Sequence, residues 1–283
     1  MKLTTLVSGG FLIVSLWLVP AHSLEATGAL SLYLASQRER LEHVHFPVSC
    51  NDAAQVQFDR AIALLHSFQF APALQAFTAV TKLDPTCAMG HWGVAMSLLG
   101  DPFAWPPSAR ALADSWAAVG MARAAGARTQ REQAYIAAIE AFCKDAETVD
   151  YRTRTLAYAR TMAQLARQFP ADPEATIFYA LALNASALPS DKTCANQVKA
   201  ATLLEQVFAV YPKHPGAAYY LAYIYEHRSF APRGSTPHGQ RPEHFWRIRN
   251  PGARWEDDWQ ASATERLRHF SVFCSALRSD YSQ

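Results

Sequence analysis

The chain has 283 residues, of which 50% are hydrophobic and 18% are charged, and its formal net charge is +2. This length is sufficient for one large domain or a repeat array with a substantial hydrophobic core. So small a net charge creates no long-range field that would attract nucleic acid or an anionic membrane, and we expect neither as a partner.

The N-terminal sequence predicts export. Met1-Lys2 provides a positive start, residues 3–19 are apolar and uncharged, and small residues stand at Ala21 and Ser23. This three-part pattern is typical of a secretory signal peptide over residues 1–23. A membrane anchor is the alternative, but a spanning helix needs about 20 apolar residues, and this run contains several Thr, Ser and Gly residues. No later stretch is apolar enough to span a bilayer, so we predict a periplasmic or secreted chain without a transmembrane segment.

Hydrophobic periodicity predicts helices almost throughout and no sheet, so the predicted fold class is all-α. Residues 53–68 place Val56, Phe58, Ile62, Ala63 and Leu65 on one helical stripe. A second helix follows over residues 71–83, where an early proline is tolerated in the first turn. Further helices are predicted over residues 110–125, 131–142, 151–169, 173–187, 196–210 and 215–226.

The helices also carry a repeat signal. In the tetratricopeptide pattern, an Ala in the second helix is followed four residues later by an aromatic residue and eight residues after that by Pro. Ala73, Phe77 and Pro85 have this spacing, and Gly93 stands where a small residue lets two helices cross closely. The sequence therefore predicts a tetratricopeptide-like helix-hairpin solenoid over residues 24–230. An irregular loop over residues 231–254, rich in Pro and Gly, and a capping helix over residues 255–283 are predicted to follow.

Six short segments resemble a group of exported bacterial tetratricopeptide-like proteins of unassigned activity. The matching residues are dense over about 45–105 and are His45-Phe46-Pro47-Val48-Ser49-Cys50, Phe58-Asp59-Arg60, Leu65-His66-Ser67-Phe68, Asp84-Pro85-Thr86-Cys87-Ala88-Met89, His91-Trp92-Gly93-Val94-Ala95-Met96 and His214-Pro215-Gly216-Ala217-Ala218. The resemblance implies a helical-repeat fold and export. The chain departs from the group at Tyr219 and Tyr223, where the group carries histidines, so the role of those histidines does not transfer.

The five cysteines are the first candidates for chemistry, and in an exported chain thiols oxidise where geometry permits. Cys50 precedes the first helix of a hairpin and Cys87 follows the second, so antiparallel helices bring both to the same end. We predict a disulfide between them. The same argument, more weakly, joins Cys143 to Cys194 and leaves Cys274 without an intramolecular partner.

A metal site is the alternative interpretation of the same region. Two cysteines and two histidines could form a tetrahedral zinc or copper site. The candidate ligands are His45, His66, His91, Cys50 and Cys87.

Two functions remain open from the sequence. The first is a scaffold that binds a peptide or partner protein in the concave groove of the helical array. The groove residues predicted for it are His66, Trp92, Tyr179, Tyr220 and Tyr223. The second is a metal-binding protein or metal-dependent enzyme using the histidines above, with His214 as a further candidate. No catalytic motif is found, so no reaction is predicted.

Overall fold

The computed structural model describes residues 44–229, except residues 189 and 192 and the side chains of residues 225–229. Within these residues the chain forms nine α-helices and no strand, which confirms the all-α prediction. The helices are α1 Asp52–His66, α2 Phe70–Leu83, α3 Ala88–Leu99, α4 Ala109–Ala125, α5 Gln130–Cys143, α6 Tyr151–Gln168, α7 Pro173–Ala185, α8 Ala195–Val210 and α9 Pro215–Ser229. The predicted signal peptide, the loop over residues 231–254 and the capping helix lie outside the described residues.

Local sequence determines where the helices begin. The Asn51 side chain caps α1 by accepting a hydrogen bond from the N–H of Ala54. Thr129 and Glu132 form a reciprocal capping box at the start of α5. At α7, the Asp172 carboxylate accepts from the N–H of Glu174, and a proline occupies the first turn. The eight predicted helices that fall within the described residues are present, and their ends differ from the prediction by only a few residues. Helix α3 is a further helix, for which no range was predicted.

Each helix packs against the next one along the chain, and α9 additionally contacts α1 and α7. The contact between α1 and α9 brings the first and last of these helices together. None of the helices described here is both long and apolar enough to cross a membrane.

A chain of buried aromatic rings forms the centre of the core. The ring centroid of Phe46, in the extended segment before α1, lies 5.0 Å from that of Tyr135 and 5.7 Å from that of Trp92. Trp92 in turn lies 5.4 Å from Phe178 on α7. Arg131 covers the Phe46 ring, with its guanidinium carbon 4.2 Å from the ring centroid. These contacts hold α3, α5 and α7 around one apolar centre.

Gly93 illustrates why a small residue is needed where α3 crosses α2. A Cβ at position 93 would lie only 2.1 Å from Cδ1 of Phe77, whose side chain is fully buried. The close crossing predicted from the sequence is therefore present. In contrast, Val56, which we assigned to the buried stripe of α1, is 74% exposed. The inward face of α1 is formed instead by Ala54, Phe58, Ala61, Ile62 and Leu65.

The predicted disulfide between Cys50 and Cys87 is present, with a sequence separation of 37 residues. Closing a loop of this length stabilises the fold by about 4 kcal/mol on the loop-entropy model. The weaker pairing is wrong, because Cys143 and Cys194 are not joined to each other. Cys143 ends α5 with its sulfur 3.3 Å from the Ser115 hydroxyl on α4, whereas Cys194 precedes α8, which packs against α7 and α9.

Candidate functional site

Three buried polar side chains meet where α1, α7 and α9 converge. His66 is the last residue of α1, Glu174 lies in the first turn of α7, and His214 immediately precedes α9. Their exposed fractions are 0%, 1% and 5%. One ligand atom from each side chain lies within 4.8 Å of the others. Among the described residues, these three are the group of His, Cys, Asp or Glu side chains that lie close enough together to hold one metal ion.

Hydrogen bonds link the three residues to each other and to Tyr220. Nε2 of His66 lies 2.8 Å from Oε2 of Glu174, and Nε2 of His214 lies 2.9 Å from Oε1 of the same carboxylate. On the far side of the His66 ring, Nδ1 lies 3.0 Å from the Tyr220 hydroxyl. The N–H of Ala217 approaches Nδ1 of His214 at 3.4 Å. Because that nitrogen accepts, the proton of neutral His214 is on Nε2 and is donated to Glu174.

The start of α7 fixes the position of Glu174. The carboxylate of Asp172 is itself held by Nε of Arg131 at 2.6 Å and by the Tyr135 hydroxyl at 2.9 Å. Asp172 thus caps α7 from a position anchored on α5. Glu174 lies two residues later, where the positive end of the helix dipole stabilises an anion.

Burial and charge set the protonation states of the cluster. Burial raises the pKa of the Glu174 carboxyl, but charge and hydrogen bonds from His66 and His214 outweigh it and hold the pKa well below its ordinary range. Burial also lowers the pKa of His66, and the neighbouring Glu174 carboxylate opposes this only in part. Burial raises the pKa of Tyr220 well above its ordinary value, and the negative charge of Glu174 raises it further. Near neutral pH the cluster therefore contains an ionised carboxylate, a neutral His66 and a protonated tyrosine.

The His66 ring is enclosed on its remaining sides. The Phe178 ring centroid lies 5.2 Å away and the His214 ring centroid 5.3 Å away. Gly216, in the first turn of α9, lies so close that a Cβ there would be 2.7 Å from Nδ1 of His66. Only glycine lets the backbone of α9 approach the imidazole this closely.

Of the predicted metal ligands, His66 and His214 belong to this cluster, whereas the others lie elsewhere. His45 is exposed, and its Nδ1 contacts Oδ2 of Asp59 at 2.8 Å. His91 is partly buried on α3, and burial lowers its pKa. Cys50 and Cys87 are joined in the disulfide, so they offer no thiolate to a metal. The structure thus brings His66 together with His214 and with an acidic residue absent from the prediction.

The predicted groove residues are mostly internal. His66, Trp92 and Tyr220 are buried, while Tyr179 and Tyr223 are partly exposed. A narrow cleft beside the cluster is walled by Leu65, Phe70, Met96, Gly100, Pro102, Trp105, Tyr158, Phe178, Leu181 and Tyr220. Its volume is only about 20 Å³, which is about the space that one water molecule needs. An organic ligand does not fit this cleft without movement of its walls.

Glu174 is the functional candidate that sequence reasoning missed. A signal was nevertheless present, because Glu174 is the one charged residue of the helix Pro173–Ala185. A charged residue at the start of such a helix is easily interpreted as a helix-end feature. Its burial depends on α1 and α9, which are distant in sequence.

Comparisons with protein-family models, with characterised proteins and with solved structures found no match to this chain. The resemblance to exported tetratricopeptide-like proteins therefore stays a prediction.

Proposed function

We propose that this protein binds a divalent first-row transition-metal ion through His66, Glu174 and His214. The observation that carries the proposal is the convergence of two imidazoles and one carboxylate, all buried, with ligand atoms within 4.8 Å of one another. Two histidines and a carboxylate are a common ligand set for Zn²⁺ and for non-haem Fe²⁺. This set replaces the cysteine-containing zinc or copper site considered from the sequence.

The distances within the cluster suit an ion after a small expansion. Donor atoms around a common ion at about 2.0–2.2 Å are separated by about 2.9–3.5 Å. The two Nε2-to-carboxylate distances are 2.8 and 2.9 Å. These two contacts go to different oxygens of the carboxylate, so an ion in place of the shared protons would lengthen them by a few tenths of an ångström. The remaining ligand separation, which is within 4.8 Å, must come to about 3.5 Å or less.

Binding the ion requires the proton of each imidazole to move from Nε2 to Nδ1. For His214 this turns Nδ1 into a second donor facing the N–H of Ala217, and a buried donor left without an acceptor costs about 1–3 kcal/mol. Metal coordination by a structural site contributes roughly 10 kcal/mol or more at neutral pH. The free energy gained by coordination is much larger than the cost of moving the protons, so the hydrogen bonds do not prevent metal binding.

Charge also favours a cation at this position. The Glu174 carboxylate is buried with two histidines as its hydrogen-bonding partners. The Arg131 guanidinium makes its ion pair with Asp172 instead. A divalent ion would neutralise the buried anion directly, and burial without such compensation is costly.

We propose metal binding and not catalysis as the function of the site. Its three ligands are at most 5% exposed, and the adjoining cleft of about 20 Å³ has no room for an organic substrate. An ion held there would join α1, α7 and α9, which places it among the ions that stabilise a fold.

The experiment is native mass spectrometry with elemental analysis of protein purified without chelators. We expect one metal ion per chain in the wild type and its loss in Glu174→Gln, which keeps the shape of the side chain. The matched control is His91→Ala, which removes a partly buried histidine outside the cluster and should retain the ion. A metal-free wild type that also fails to take up added Zn²⁺, Fe²⁺ or Co²⁺ would contradict the proposal.

Partner binding is a second candidate, favoured by two exposed apolar side chains of α4. Trp116 is 39% exposed and Met121 is 55% exposed, although both are large and apolar. A scaffold function would then use α4 and not a groove. A photo-crosslinking residue at position 121 should yield a discrete adduct with a periplasmic protein, whereas the same residue at exposed Val198 on α8 should not. Equal yields at both positions would contradict partner binding through α4.

Export is proposed together with either function. The Cys50–Cys87 disulfide supports it, because such bonds persist in oxidising compartments. Cell fractionation with mass spectrometry of the mature N-terminus tests export. Recovery of the uncleaved chain from the cytoplasm would contradict it.

A further inference from the structure

We infer that Tyr220 is a positioning residue of the proposed metal site, which directs Nε2 of His66 toward the ion by hydrogen bonding to Nδ1. This inference rests on the metal-binding function proposed above. Both residues are buried, and the Tyr220 oxygen lies 3.0 Å from Nδ1 of His66. Tyr220 therefore contacts the His66 ring at Nδ1, the nitrogen that would not bind the proposed metal ion.

The hydroxyl of Tyr220 suits both states of the site. Without metal, Nε2 of His66 donates to Glu174, and Nδ1 accepts a hydrogen bond from the Tyr220 O–H. With metal on Nε2, the imidazole stays neutral with its proton on Nδ1, and the Tyr220 oxygen becomes the acceptor. A hydroxyl can both donate and accept, whereas most side-chain groups are restricted to one role.

The packing of α9 holds Tyr220 in this position. Gly216 and Tyr220 are four residues apart on α9 and therefore lie on the same face of the helix. The backbone at Gly216 and the ring of Tyr220 both contact the His66 imidazole, and the two ring centroids of Tyr220 and His66 are 5.5 Å apart. The hydroxyl is aligned by a helix packed against the ring and not by a surface loop.

A metal-ligating histidine normally donates its second ring N–H to a fixed acceptor. In Tyr220→Phe this acceptor is lost, and Nδ1–H of metal-bound His66 is buried without a partner. We expect the affinity for Zn²⁺, measured by competition with a chromophoric chelator, to fall about 10- to 100-fold. The matched control is Tyr158→Phe, which removes the hydroxyl of another buried tyrosine that walls the cleft and whose ring packs against Trp105 and Phe142.

The second readout is the His66 tautomer, followed by ¹⁵N NMR of the imidazole on the folded proteins with and without Zn²⁺. In the wild type, and in Tyr158→Phe, Zn²⁺ should convert His66 from the Nε2–H to the Nδ1–H form. A Tyr220→Phe variant with wild-type Zn²⁺ affinity would overturn the role of Tyr220 while leaving metal binding intact. A wild-type protein that takes up no metal would overturn metal binding itself, and the role of Tyr220 with it.

Discussion

Replacing Gly216 by alanine tests the packing of α9 against the site. The added Cβ would lie 2.7 Å from Nδ1, 3.0 Å from Cγ and 3.1 Å from Cε1 of His66. The ring cannot easily retreat, because it is fully buried and hydrogen-bonded to Glu174 and Tyr220. We expect this overlap to cost about 1–3 kcal/mol, as other overpacked cores do.

Gly120→Ala is the matched control for the change in helix propensity. Gly120 also lies within a helix, α4, but a Cβ added there would meet no neighbouring side chain or packed element within 4 Å. This substitution should stabilise the protein by about 0.5–1 kcal/mol, since alanine loses less backbone entropy than glycine on folding. The difference in the free energy of unfolding between Gly216→Ala and Gly120→Ala mainly measures the overlap with His66.

Urea denaturation of metal-free protein, followed by far-UV circular dichroism, gives both free energies of unfolding. A His66→Ala background should remove most of the cost of Gly216→Ala, because the ring that it strikes is gone. If Gly216→Ala is as stabilising as Gly120→Ala in the wild-type background, the close approach of α9 to His66 is refuted.

Two further predictions concern buried titratable groups. The free energy of unfolding of metal-free protein should decrease as the pH falls from about 7.5 to 5, measured by urea denaturation at each pH. His66 and His91 have folded pKa values lowered by burial, so the unfolded chain binds more protons below about 6.5. The Cys143 thiol, whose pKa burial raises to about 11, should resist iodoacetamide at pH 8 in native protein and react after denaturation, as read by mass spectrometry.

Each of these predictions has an internal control. His66→Gln should flatten part of the pH dependence, and a wild-type stability that rises on acidification would contradict the burial of these histidines as neutral rings. The lowered pKa of Glu174 also makes the free energy of unfolding fall on acidification, but mainly below about pH 4.5. It therefore contributes little between pH 7.5 and 5. Rapid labelling of Cys143 in native protein would contradict its placement against Ser115.

Local sequence determined where the helices lie and which two cysteines form the disulfide. Periodicity, capping residues and prolines act within a few residues, so they located the helices and their approximate ends. The disulfide between Cys50 and Cys87 also followed from local order, because a single hairpin returns the chain to its starting end. The same reasoning failed for Cys143 and Cys194, although two helices, α6 and α7, also lie between them. A return to the same end does not bring the two cysteines together, and Cys143 packs against Ser115 on α4 instead.

Local sequence could not locate the candidate site, because its members are brought together by long-range packing. His66 is separated by 108 residues from Glu174 and by 154 residues from Tyr220. In sequence, His66 was a candidate both as a metal ligand and as a groove residue, Tyr220 resembled an aromatic groove residue, and Glu174 resembled a charge at a helix end. The contact of α9 with α1 and α7 made them one buried cluster. The sequence by itself determined helices through short-range periodicity and capping, whereas only the tertiary structure decided which polar side chains would be buried together.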